Sequence, residues 1–127
     1  MTLDEFKKSD KSLLILLNDE IMFESKKDAL IPLVEFIKSN KPKENLLIFD
    51  KYIGRAAALL MTLLIPIKVY TPIISQFGRQ VFEQHQIEFY AEQEVEYLMG
   101  VASETMCKWE KLSVGKNAEE LFEILTN

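Results

Sequence analysis

Residues 46–60, "LLIFDKYIGRAAALL", join a short apolar run to a tract of small residues through a charged turn. "LLIFD" reads as a buried strand. Gly54 to Leu64 reads as a helix so apolar that it must be covered on most sides. A strand feeding a buried helix is half of a parallel crossover, and the next segments repeat it. "IKVYT", entered from Pro66, is a further strand. "SQFGRQVFEQHQ" is a helix with Ser75 as N-cap and Phe77, Val81 and Phe82 turned inward, and "IEFY" is another strand. This alternation predicts parallel crossovers.

Working outward toward the N-terminus, "SLLILLN" and "DEIMFES" predict the two strands of a hairpin, with Asn18 and Asp19 able to take the positive φ values of its turn. From Asp28, the spacing of Leu30, Leu33, Val34 and Ile37 marks one helical face, with Pro32 in the first turn and Asn40 and Pro42 ending it. Toward the C-terminus, "AEQEVEYLMGVASETMCKWEKLSVGK" has no sustained period, although Val95, Leu98 and Met99 suggest a short helical turn. Asn117 with Glu120 predicts a capping box, opening a last helix with Leu121, Phe122 and Leu125 inward. The expectation is a single domain over residues 1–127. It is a three-layer α/β/α architecture with a mixed sheet of about five strands and an N-terminal β-hairpin.

Composition narrows the function classes. The 127 residues carry a formal charge of −5, with acids and bases interspersed. The short basic segments "KKSDK" and "KSNKPK" read as solvated loop and helix-end lysines, so no nucleic-acid partner is expected. One cysteine and one histidine exclude an intrachain disulfide and a metal site built from several Cys and His ligands, so neither metal nor cofactor is expected. The charged N-terminus lacks a signal core. The apolar run from Ala56 to Ile67 is well short of the roughly 20 residues of a membrane span. A cytoplasmic protein without a membrane partner follows as the expectation.

In an open α/β sheet, ligands bind beyond the carboxyl ends of the parallel strands, where helix N-termini present free N–H groups. That rule selects Asp50, Lys51, Gly54 and Arg55 after one strand and Thr71 to Ser75 after the next. Arg55 can grip a carboxylate or phosphate with its planar fork. Equally, the small residues can pack a helix on the sheet, with Asp50 paired to Lys51 or Arg55. The glycine spacing fits neither the dinucleotide fingerprint nor the phosphate loop. Cys107 in "MCKWEKL" has Lys108 and Lys111 nearby to favour a thiolate, against the simpler reading of an inert, partly buried thiol. His85 reads as a helix end and Trp109 as a packing anchor.

Through "DKYIGRAAALL", "VYTPIIS" and "MCKWEKL", the chain resembles a small bacterial and archaeal family of unknown function, usually described as related to the cytidine deaminase fold. The family pattern has Asp-Lys, two apolar residues, Gly-Lys and an Ala tract, then Ser, then Cys-Pro-x-Glu. Asp50, Lys51, Gly54, Ser75, Cys107 and Glu110 match it. Arg55 stands where the pattern has Lys, and Lys108 where it has Pro. The resemblance implies a helix, a hairpin, and alternating helices and strands around one mixed sheet. It also implies that the zinc-binding positions of deaminases fall near "SKKDALIPL" and "DKYIGRAAA", where no ligand set is present.

Two functions follow as expectations. The first is a pocket for a small ligand such as a nucleoside, nucleotide or related metabolite, formed by Asp50, Lys51, Gly54, Arg55, Ser75, Cys107 and Glu110, serving either a metal-independent enzyme or a sensor. The second is a non-catalytic interaction or regulatory protein whose Phe, Met and Leu side chains build a homodimer face. Zinc-dependent deamination ranks below both.

Overall fold

In the computed structural model, which describes residues 1–27, 30–40, 44–96 and 108–126, the chain opens with a short helix, α1 (Leu3–Lys8). A capping box closes its start: the Thr2 hydroxyl accepts from the Glu5 N–H, and the Glu5 carboxylate accepts from the Thr2 N–H. Strands β1 (Leu13–Leu17) and β2 (Glu20–Ser25) follow as a hairpin. Asn18 and Asp19 turn it with φ of 51° and 69°, as their side chains led one to expect.

Helix α2 (Ile31–Ser39) has Pro32 in its first turn and buries Leu33, Val34 and Phe36. Next come β3 (Leu46–Asp50), β4 (Tyr52–Ile53), α3 (Arg55–Thr62), β5 (Lys68–Ser75), α4 (Gln76–Gln84) and β6 (Phe89–Val95). The last helices are α5 (Lys108–Ser113) and α6 (Ala118–Thr126). The Asn117–Glu120 capping box at the start of α6 forms as expected, with both reciprocal bonds in place.

The sheet is mixed and has six strands. β1 is antiparallel to both β2 and β3, whereas β5 is parallel to β3, β4 and β6. The sixth strand exists because one strand is cut in two. β3 and β4 lie along the same edge of β5 in one continuous register and are interrupted where Lys51 faces Pro72. The ladder to β6 lapses at Pro72 as well. A proline offers no N–H to a ladder. The fully buried Thr71 spans the gap, its hydroxyl donating to the Ile73 carbonyl at 2.9 Å and accepting from the Ile73 N–H at 3.2 Å. Across this break the core-facing set changes phase, from Leu46 and Ile48 to Ile53 on one strand and from Val69 to Ile74 on the other. The two residues of β4 were expected to be part of the turn.

Helices α2, α3, α4 and α6 share the main core with Leu13, Ile15, Leu46, Ile48, Val69 and Ile74, and Leu112 of α5 packs against it. Among the described residues only α1 covers the other face, where its buried Phe6 meets Leu14, Leu16 and Phe49. This asymmetry follows from connectivity. The connections through α2, α3 and α4 all join parallel strands and all step across the sheet toward β6, so right-handed crossovers put those helices on one side. Helix α3 is covered as anticipated, with every residue from Ala56 to Met61 buried. Val95, expected in a helical turn, is instead the last residue of β6. Leu98 and Met99, like Asp28, lie outside the described residues. No helix among the described residues is long and apolar enough to cross a membrane.

Candidate functional site

The carboxyl ends of the parallel strands come level at one edge of the sheet. Ile53 pairs with Ile74, and Ser75 pairs with Val95, so Gly54, Ser75 and the end of β6 stand side by side. Two helices start there. At α4, the buried Ser75 is the N-cap, and its hydroxyl accepts from the Gly78 N–H at 3.0 Å. At α3, the N-cap is Gly54, which supplies no side-chain bond to the first-turn N–H groups. The partial positive charge at a helix start favours anionic groups.

Gly78 allows the two starts to lie close together. A Cβ there would sit 3.2 Å from the carbonyl oxygens of Ile53 and Gly54 and 3.2 Å from Cγ1 of Ile74. Sequence reasoning passed over Gly78 as helix interior. A glycine three residues after an N-cap serine was the available signal of close backbone approach.

The residues of "DKYIGR" part in different directions. Asp50 ends β3 and, by the alternation of a strand, shares the helix-side face with Leu46 and Ile48. Its Oδ1 accepts from the Tyr52 N–H at 3.4 Å. Lys51 goes to the opposite face, where Nζ donates to the Ser9 carbonyl at 2.7 Å and lies 5.5 Å from the ring centre of Phe6. The lysine thus ties α1 to the sheet. Arg55 reaches the C-terminal helices: Nε donates to the Ser113 carbonyl and Nη2 to the Lys116 carbonyl, each at 3.1 Å. Ser113 is the last residue of α5, and its carbonyl also accepts from the Lys116 N–H at 3.1 Å, so the guanidinium grips a turn that is already closed.

Gly54, Arg55 and Ser75 are therefore brought to one edge, Asp50 stands level with Thr71 four residues back along the strands, and Lys51 points to the other layer. Cys107 lies outside the described residues. Glu110 falls on the backbone of α5, the helix that Arg55 ties to α3.

A deaminase-type zinc does not fit the donors on the described residues. His85, the sole histidine, is at the C-terminal end of α4, one nine-residue helix of about 14 Å away from Ser75. Among the described residues no three His, Cys, Asp or Glu side chains form a group able to hold a metal ion.

No curated protein matches the chain. The crystal structure of a DUF1893-family protein from Thermotoga maritima, TM1506, aligns with a TM-score of 0.89 at 30% sequence identity, over 98% of this chain and 84% of that one. The profile of the TM1506 family, a domain of unknown function (DUF1893), matches residues 2–127. With a profile match along nearly the whole sequence and a relative that shares the fold, the chain belongs to the DUF1893 family.

Proposed function

We propose that this chain is a single-domain cytoplasmic protein with a cytidine deaminase-like fold that binds a small anionic metabolite, a nucleoside phosphate or related phosphorylated compound, without a zinc ion. One observation carries the reading: two helices, α3 and α4, begin side by side at level strand ends, and the first of them lacks a side-chain cap. N–H groups at such starts suit phosphate oxygens, and the Asp50 carboxylate, about 13 Å back along the strand, suits a hydroxyl or amino group at the ligand's far end. In this assignment Asp50 and Gly54 meet the ligand. Lys51, Arg55 and Ser75 fix the walls by holding α1, α5 and α4 in place.

A thermal-shift panel of nucleosides, nucleotides and sugar phosphates tests it. A true ligand at a hundred times its Kd stabilises the fold by about 2.7 kcal/mol, roughly 10 °C for a domain of this size. Asp50→Ala should remove most of that shift. A panel in which nothing raises the midpoint, or an Asp50→Ala chain that keeps the full shift, rejects the assignment.

A further inference from the structure

A shallow groove runs between α2 and α6, lined by Leu30, Ile31, Val34, Glu35, Lys38 and Leu125. Its floor is apolar; Ile31, which lines it on α2, is 53% exposed, and Ile124, next to the lining Leu125 in α6, is 44% exposed. Two such side chains on neighbouring helices give up apolar surface only when something covers them. Glu35 and Lys38 stand on the same outer face of α2, one turn apart, and make no ion pair with each other or with any other described residue.

Opposite charges one turn apart form a self-complementary pattern. If a second α2 crosses antiparallel with the two-fold axis between positions 35 and 38, each Glu35 faces the other copy's Lys38, and two ion pairs form at once. We propose that the α2–α6 face is a two-fold homodimer interface of this protein, with Ile31 and Ile124 as its apolar part and the Glu35–Lys38 pairs setting its register. A partner of another sequence would not need the charges in this reciprocal order.

Size sets the strength. Nine-residue helices are about 14 Å long and pack 8–10 Å apart, so the face covers roughly 300 Å² in projection. That is well under the ~800 Å² per partner of a durable complex, which makes the association a weak one. The dimer is therefore concentration-dependent, and it stands or falls separately from ligand binding at the strand ends.

Sedimentation velocity of the full chain from about 10 μM to about 1 mM decides it. The expected result is a mass rising from the 14.7 kDa monomer toward twice that value. Glu35→Lys should weaken association at least about tenfold by setting lysine against lysine, and Ile31→Lys should weaken it similarly. Both positions are exposed, so the thermal midpoint of each variant serves as the check that it is folded. The double variant Glu35→Lys with Lys38→Glu should recover self-association, and a mixture of the separate Glu35→Lys and Lys38→Glu variants should form heterodimers. A chain that stays monomeric to about 1 mM, single variants that dimerise like the parent, or a double variant that fails to recover would each overturn the proposal.

Discussion

At Ile65 the backbone φ is +50°, although the residue is β-branched and 68% of its surface faces solvent. A left-handed conformation costs an ordinary L-residue about 1–2 kcal/mol, and so exposed a side chain recovers little by burial. Ile65→Asn should therefore stabilise the fold by roughly 1 kcal/mol, because Asn tolerates this region; an unchanged or lower urea midpoint would contradict the assigned strain. Gly78 presents the opposite case, where the backbone angle makes no demand and space does. Two of the three atoms that an added Cβ would meet at 3.2 Å are backbone carbonyl oxygens, which cannot swing aside. Ala is worth about 1 kcal/mol more than Gly inside a helix. Crowding of this kind costs about 1–3 kcal/mol, so Gly78→Ala should lower stability by about 1 kcal/mol net. A higher urea midpoint in that variant would show that α4 shifts freely. Asn18 and Asp19 were legible from sequence because a two-residue hairpin turn has its own residue code. Ile65 and Gly78 were not, since their roles depend on what the fold places around them.

Among the elements, Arg55 ties the end of α5 and the turn into α6 to the first turn of α3. Arg55 donates to the carbonyls of Ser113 and Lys116, so removing the guanidinium leaves both acceptors without those bonds. Charge-assisted bonds of this sort are worth about 1.5–3 kcal/mol each before water replaces part of the loss. Arg55→Ala should lower stability by about 2–3 kcal/mol. In hydrogen exchange, the amides of α6 should lose protection while those of β1 and β3 keep theirs; uniform loss across the chain would mean that Arg55 supports the whole core instead of the C-terminal helices. The elements read correctly from sequence are those with a complete period or a cap. Helix α4 has Ser75, α6 has Asn117 with Glu120, and α3 has its unbroken apolar tract. Those missed are short. α1 and α5 have six residues each, too few to display a period, and β4 is separated from β3 only by a proline on the neighbouring strand. For the candidate site, sequence placed the strand ends too early, at Asp50 and Thr71, whereas β4 carries the first edge on to Ile53 and β5 runs to Ser75; it also left open which charged residue faces which layer. The phase change beside Pro72 and the split of Lys51 from Asp50 are properties of three strands together.

At the scale of the molecule, sequence supplied the handedness of the crossovers but not the direction in which each steps across the sheet, so the loading of five helices on one face was not legible. The distribution of charge has a consequence that can be worked out. The ion pairs lie on the surface: Lys7 with Glu92 at 2.8 Å, Lys26 with Asp10 at 2.8 Å and Lys68 with Glu88 at 3.3 Å. Hydrogen bonding to Glu92, Asp10 and Glu88 raises the three lysines above their ordinary 10.5, and the bond from Lys26 lowers Asp10 below 3.8. A depressed acid contributes stability that is fully present above its unfolded value and lost as pH falls through the lower folded one. A raised lysine contributes below its unfolded value and loses that contribution as pH rises through the higher folded one. Both windows lie outside neutrality, one below about pH 4 and the other above about pH 10. The urea midpoint should accordingly stay level from about pH 5 to about pH 10, with solubility lowest near the isoelectric point of 5.0. A midpoint that moves between pH 6 and 9 would show that a group outside these surface pairs links protonation to folding, and would contradict the assignment of the pH dependence to them.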